Sequence, residues 1–157
     1  MPDQEYSDPV APLLTAGDPR EWKEWPDYPQ RYGLTLRDVP ELIRMAEDVI
    51  SFELDPDEDI SVWRNLHAWR ALGQLGAAEA AGPLVDLLRW IDEQGDDWVD
   101  DELPQVLAML GPASLAPLAA FLADPHPGVY GRVAAASGLK LLADKHPIKL
   151  YFLITAR

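Results

Sequence analysis

One apolar phrase recurs in this chain, and it constrains the fold more than any other feature. Residues 70 to 85 read RALGQLGAAEAAGPLV, and residues 105 to 118 read QVLAMLGPASLAPL. At a shift of 35 residues the leucines and the glycine coincide, since Leu72, Leu75 and Gly76 fall on Leu107, Leu110 and Gly111. A helix, a glycine turn and a second helix in about 30 to 40 residues cannot bury an apolar stripe alone, so copies of such a unit stack.

A third, weaker copy of the phrase follows. At a shift of 32 residues Leu103, Leu107 and Leu110 fall on Ala135, Leu139 and Leu142. After each of the first two copies a proline–leucine pair and a further apolar pair recur, namely Pro83-Leu84 with Leu87-Leu88, and Pro117-Leu118 with Phe121-Leu122. The spacing predicts an all-α fold of consecutive helical hairpins joined by short connections.

Helix boundaries follow from apolar periodicity and from capping residues. A first helix is predicted from Thr35 to Ile50, with a capping box formed by Asp38 and Glu41. A second is predicted from an N-cap at Ser61 to Gly76. Further helices are expected at about 80–94, 97–110, 114–123 and 127–143, with Ser114 as an N-cap.

The first 34 residues differ in composition from the rest. They contain six prolines, with Trp22, Trp25, Tyr28 and Tyr32 among them. Proline interrupts regular structure, whereas aromatic rings offer large contact surfaces. We therefore predict an extended, irregular N-terminal arm over residues 1–34, packed on a helical-repeat domain over residues 35–157.

Composition restricts the partners and the compartment. The formal charge is −14 and there is no cysteine, which disfavours nucleic acid and anionic membranes as partners and excludes thiolate zinc sites. No signal-peptide pattern opens the chain, and no run approaches the roughly 18 to 20 apolar residues of a membrane span. A cytoplasmic protein without a cofactor is expected.

At three segments the chain resembles the HEAT-repeat family, especially the short bacterial HEAT-like repeats of the phycobilisome-lyase type. The segments are AWRALGQLGAAEAAGPLVDLL, LPQVLAMLGPASLAPLAAFLAD and RVAAASGLKLLADKHP. The resemblance implies a short α-solenoid of about three hairpins. It implies little about activity, because the family includes scaffolds, adaptors, lyases and DNA repair enzymes.

The favoured function is protein–protein interaction, in an adaptor or regulatory scaffold. The predicted partner surface lies on the helix at 80–94 and at the loop after it, and comprises Asp86, Arg89, Trp90, Glu93 and Trp98. These residues lie opposite or beside the inward-facing Leu84, Leu87, Leu88 and Ile91. Acidic residues on this side favour a basic protein or peptide as the partner.

A lyase-type, ligand-handling role is the alternative, and its candidate polar site is His67 with Arg70. No acidic residue lies one helical turn from His67, so hydrogen bonding to a neighbouring helix or to the arm is the simpler role. No metal site is expected. Asp55, Asp57 and Asp59 have the alternate spacing that opens a calcium loop, but Ile60 replaces its glycine.

The C-terminal segment HPIKLYFLITAR is almost continuously apolar. It can close the stack as a buried last helix, pair with a second copy of the chain to give a homo-oligomer, or precede a further repeat in a longer protein. Self-association is therefore a third functional class.

Overall fold

The computed structural model describes residues 5–95 and 99–147, with the side chains of 99–101 left aside. Within those ranges the chain forms α-helices, 3₁₀ turns and loops, and contains no β-strand. The predicted all-α class is confirmed. The chain divides into two compact units, Met1–Leu75 and Gly76–Arg157, and the predicted boundary at residue 34 falls inside the first.

The first unit has three α-helices: α1 (Tyr28–Tyr32), α2 (Val39–Ala46) and α3 (Arg64–Leu75). The end of α2 is held by side chains of α3, since the Ala46 carbonyl accepts hydrogen bonds from Asn65 Nδ2 at 3.0 Å and from Trp69 Nε1 at 3.1 Å. Asn65 Nδ2 also donates to the Asp48 carbonyl. These bonds satisfy carbonyls that a helix C-terminus leaves without partners.

The N-terminal arm is more ordered and more deeply packed than its composition predicts. Two 3₁₀ turns, Ala11–Thr15 and Pro19–Glu21, and helix α1 interrupt the predicted extended conformation. Proline stands in the first turn of each, where the missing N–H costs nothing. Val10, Leu13 and Tyr28 are fully buried, so the arm supplies part of the core of the first unit.

Helix α2 is shorter than predicted. It ends at Ala46, and Val49 and Ile50 lie in a 3₁₀ turn where they are substantially exposed. The turn begins at Asp48, whose carboxylate accepts the Ile50 N–H. A local side-chain cap therefore overrides the helical periodicity here.

Three predicted caps are wrong, because hydrogen bonds other than the predicted ones form at these positions. The capping box joins Thr35 and Asp38 instead of Asp38 and Glu41. Asp59 accepts from the Ser61 N–H at the start of a 3₁₀ turn that leads into α3, so Ser61 is not the N-cap. Ser114 donates its hydroxyl to the Leu107 carbonyl at 2.7 Å and caps no N–H group.

The second unit has four α-helices: α4 (Ala81–Gln94), α5 (Val99–Met109), α6 (Leu115–Ala123) and α7 (Val129–Lys145). Helix α7 packs on α5 and α6, and α4 packs on α5, α6 and α7. The described helices lie within a few residues of the predicted ones. Their inner faces are leucine-rich, with Leu84, Leu88, Leu103, Leu107 and Leu118 fully buried.

The repeated phrase has a repeated local structure. Gly76 and Gly111 both have positive φ, 62° and 88°, which a residue without Cβ adopts at little cost. A 3₁₀ turn follows each, at Ala78–Ala80 and Pro112–Ser114, and these two turns contact each other.

None of the described helices is by itself long and apolar enough to cross a membrane. One pair, Glu102–Met109 with Pro112–Ala123, meets the length and composition criteria only when taken together across a bend of 119°.

Candidate interaction surfaces

Helix α4 carries the predicted partner surface. Leu84, Leu87, Leu88 and Ile91 are buried, as predicted. On the outer side Asp86 and Glu93 are exposed, two turns apart, and Arg89 and Trp90 between them are partly exposed. Four of the five predicted residues therefore share one face of α4. The fifth, Trp98, lies outside the described residues.

Arg89 has a structural role on this surface. Its Nη1 lies 2.6 Å from Asp124 Oδ2, and its guanidinium stacks 4.8 Å from the centre of the Phe121 ring. His126 approaches the same carboxylate, with its backbone N at 3.0 Å and its Nδ1 at 2.6 Å. Hydrogen bonds from the His126 backbone and side chain, followed by the contact with Arg89, lower the pKa of Asp124 to about 2. Since Arg89 is paired, the charge that the outer face of α4 presents is that of Asp86 and Glu93.

Asp92 is a residue whose importance the sequence did not indicate. Its carboxylate accepts the N–H groups of Gly128 at 2.6 Å and Gly131 at 2.8 Å, and thereby caps the start of α7. A Cβ at residue 131 would lie 2.7 Å from the Asp92 carboxyl carbon. Partners 36 and 39 residues apart give no periodic signal, so only the folded chain reveals this cap.

His67 is completely buried in the first unit and is hydrogen-bonded through both ring nitrogens. Nε2 lies 2.8 Å from the Gly17 carbonyl and Nδ1 lies 2.7 Å from the Tyr28 hydroxyl. Burial lowers the pKa of His67 to about 4, so the ring is neutral at neutral pH. Because a carbonyl only accepts, Nε2 carries the single proton and Nδ1 accepts from the Tyr28 hydroxyl. The predicted hydrogen bonding of His67 to the arm is confirmed.

Arg70 also binds the arm. It is buried, and its guanidinium lies 4.7 Å from the centre of the Trp25 ring. Gln74, one turn later on α3, donates to the Pro26 carbonyl and accepts the Tyr28 N–H. The polar side of α3 therefore holds the N-terminal arm in place. His67 and Arg70 lie on this side, and both contact the arm.

The acidic loop at 55–59 binds its own backbone. Asp55 accepts the Asp57 N–H and Asp59 accepts the Ser61 N–H, each at 2.9 Å. Among the described residues, no three His, Cys, Asp or Glu side chains lie close enough together to hold a metal ion.

Two open grooves lie in the first unit. One of about 390 Å³ is lined by Pro40, Ile43, Arg44, Glu47, Asp48, Val49 and Ile50. The other, of about 380 Å³, is lined by Glu5, Tyr6, Leu14, Asp48, Asp59, Ser61 and Arg64. Neither groove includes His67 or Arg70 among its lining residues.

We found no match to this chain among protein-family models, curated proteins or solved structures.

Proposed function

We propose that this protein is a protein-binding module built on a short HEAT-like helical repeat, and that the outer face of α4 receives a basic segment of its partner. The observation that carries the proposal is the composition of that face. Two exposed carboxylates, Asp86 and Glu93, flank the partly exposed Trp90, and the intervening Arg89 is paired with Asp124. Acidic groups around an aromatic ring complement a segment that carries Lys or Arg beside apolar residues.

The local geometry of the two phrases supports the repeat architecture. Each has a positive-φ glycine, a 3₁₀ turn and a following helix, and neighbouring copies pack through α4, α5, α6 and α7. Trp98, which directly precedes α5 in the sequence, completes the proposed set of partner residues and lies outside the described part of the chain. A cytoplasmic adaptor of this kind needs no cofactor.

The contacts of His67 and Arg70 weigh against a ligand-handling role for that pair. Both ring nitrogens of His67 are bonded within the protein, and Arg70 is stacked on Trp25. A general acid or base must reach a substrate proton with an available nitrogen. We therefore favour the adaptor over the lyase-type function.

Charge reversal on α4 tests the proposal. The tagged protein, its Asp86→Lys/Glu93→Lys variant and a Glu79→Lys control would each be used to capture proteins from lysate, with quantitative mass spectrometry. Glu79 is exposed and lies in the 3₁₀ turn before α4, so this control reverses a nearby charge without changing Asp86 or Glu93. We expect a partner that the wild type and Glu79→Lys enrich equally and that the double variant loses. Equal enrichment by all three proteins would contradict the proposal.

A Trp90→Ala variant separates the apolar contribution from the charges. We expect it to weaken capture of the same partner at every salt concentration, whereas the contribution of the two carboxylates decreases as salt is added. Unchanged capture by Trp90→Ala would remove the tryptophan from the partner surface.

A further inference from the structure

One stripe of side chains at α3 makes most of the described polar contacts with the second half of the N-terminal arm. It consists of Trp63, directly before α3, and of His67, Arg70 and Gln74 on the helix. Spacings of four, three and four residues place these side chains on one side of a helix. The guanidinium of Arg20 lies over Trp63, 4.3 Å from the centre of the ring.

Residues 20–27 of the arm, which we call the strap, run along this stripe in the direction of α3. The strap begins beside Trp63 and ends beside Gln74, which donates a hydrogen bond to its last carbonyl but one. Trp22 and Asp27 have extended backbone conformations. An extended, proline-containing segment lying against aromatic and polar side chains is a common geometry of a bound peptide.

Two side chains of the stripe bind the main chain of the arm. Gln74 donates from Nε2 to the Pro26 carbonyl at 2.9 Å and accepts the Tyr28 N–H on Oε1 at 2.8 Å. His67 Nε2 donates to the Gly17 carbonyl. Main-chain groups are present in every sequence, so these bonds select an extended conformation and do not by themselves select a sequence.

Two aromatic residues of the arm make the contacts that depend on sequence. The Trp25 ring lies 4.7 Å from the Arg70 guanidinium. Tyr28 is fully buried, and its hydroxyl lies 2.7 Å from Nδ1 of His67. The stripe therefore suits an extended segment that carries a tryptophan and, three residues later, a tyrosine.

The strap is held less deeply than the chain on either side of it. None of its side chains is buried, and Trp25 is only partly covered. The preceding part of the arm, in contrast, includes the fully buried Val10 and Leu13. Segments with little buried surface open locally at a small free-energy cost, so the strap can leave the stripe while the first half of the arm stays packed.

A segment of a different protein suits the stripe better than the arm of a second copy. To exchange its whole arm, a second copy would have to withdraw Val10 and Leu13, which are fully buried. A partner segment requires only the strap and Tyr28 to open. Two copies with a formal charge of −14 each also repel one another.

We propose that this stripe of α3 is a peptide-binding surface, which the strap occupies in the free protein and which binds an extended partner segment carrying Trp and, three residues later, Tyr. The aromatic rings of the partner take the places of Trp25 and Tyr28, and its main chain bonds to Gln74. The strap is then an autoinhibitory contact, because the partner competes with it. This surface lies in the first unit and does not depend on the partner face of α4.

A peptide copied from the arm tests the proposal on the full chain. The probe is EWPDYPQ, the sequence of residues 24–30, labelled with a fluorophore and followed by fluorescence anisotropy. We expect Trp25→Ala to bind it about tenfold more tightly than the wild type, because a weakened strap leaves the stripe free for a larger fraction of the time. Glu24→Ala, an exposed neighbour in the strap, should bind it like the wild type. Equal affinities of all three proteins would overturn the proposal.

Two further measurements show where the peptide binds. Gln74→Leu, added to the Trp25→Ala protein, removes the side chain that bonds the main chain and should weaken binding at least about tenfold. The analogue EWPDAPQ, which lacks the tyrosine, should bind the Trp25→Ala protein at least about tenfold more weakly and requires no change in the stripe. Full affinity in either measurement would overturn the assignment of the stripe as the binding surface.

Trypsin distinguishes displacement of the strap from binding elsewhere. The Lys23–Glu24 bond lies in the strap, and the peptide contains no Lys or Arg. We expect saturating EWPDYPQ to accelerate cleavage of the wild type at this bond about fivefold, because opening of the strap limits cleavage, and EWPDAPQ to leave the rate unchanged. Equal rates with both peptides would overturn displacement. A dimer of Trp25→Ala, detected by light scattering without peptide, would overturn the choice of a partner segment over a second copy.

Discussion

Helix α3 buries polar side chains, whereas α4 buries an entirely apolar face. Asn65, His67 and Arg70 of α3 are at most 4% exposed, and their partners come from the α2 end and from the arm. The buried residues of α4 are alanine, valine, leucine and isoleucine.

The difference shows two ways in which side chains determine where a helix packs. Apolar burial is strong but non-directional, so the position of α4 depends on the shape of its apolar side chains, and the helix ends at the left-handed Gly95. Buried polar groups must each find a partner, so α3 accepts only an arm that brings Gly17, Tyr28 and Trp25 to defined positions. We therefore expect the stability of the first unit to depend on single hydrogen-bonding atoms, and the stability of the second to depend on the volume of its buried side chains.

The largest effect is expected from removing volume in the second unit. Leu88→Ala deletes a fully buried side chain of α4 and should lower the free energy of unfolding by about 3 kcal/mol. Asp86→Ala, on the exposed side of the same helix, should change it by less than about 0.5 kcal/mol. Urea denaturation of both variants measures the contrast, and similar values would show that α4 does not pack through Leu88.

The second largest effect is expected from low pH, which should decrease the stability of the first unit. The pKa of His67 is about 4 in the folded protein against 6.5 ordinarily, so unfolding takes up a proton between these values. The contribution of His67 to stability is complete above pH 6.5 and decreases as pH falls towards 4, with about 2 kcal/mol lost at pH 5. His67→Gln should abolish this part of the pH dependence, and His126→Gln should retain it. The same slope in all three proteins would assign the titration to other groups.

The cap that Asp92 provides should produce an intermediate effect. In Gly131→Ala the new methyl group displaces the Asp92 carboxylate, and we expect about 1 to 2 kcal/mol of destabilisation. Gly82→Ala, where nothing lies within 4 Å of the added Cβ, should be neutral or stabilising. Thermal unfolding of the two variants provides the measurement, and equal shifts would mean that α7 is not capped by Asp92.

The smallest effect is expected from a single hydroxyl. Tyr28→Phe leaves His67 Nδ1 without its donor and should cost about 1 kcal/mol. Tyr32→Phe, in a partly exposed ring of the same short helix, serves as the control and should cost less. If both cost the same, the Tyr28–His67 bond does not fix the arm.

The sequence predicted the second unit better than the first, for a physical reason. Apolar periodicity is visible in a sequence, so the inward positions Leu84, Leu87, Leu88 and Ile91 were correct. The pairing of Gly17 with His67 spans 50 residues and has no periodic signature. The predicted cap at Ser61 was wrong because Asp59 accepts the Ser61 N–H, and the predicted cap at Ser114 was wrong because its hydroxyl donates to the Leu107 carbonyl.

The candidate surface on α4 also combines features that are visible in the sequence with contacts that are not. Amphipathicity placed Asp86, Trp90 and Glu93 on the outer side of α4, and the structure agrees. It could not show that Arg89 is paired with Asp124, because the partner stands 35 residues away on another helix. Charge patterns along one helix therefore indicate a face, and contacts between helices determine which of its charges remain for a partner.

Site-specific photo-cross-linking in cells tests the proposed partner face of α4 most directly. A photoreactive phenylalanine analogue would replace Asp86 in one protein and Glu79 in a second, and adducts would be identified by mass spectrometry. The account predicts one prominent protein adduct at position 86, attached through a segment rich in Lys or Arg, and none of it at position 79. The same adduct at both positions, or none at position 86, would contradict the assignment of α4 as the partner-binding helix.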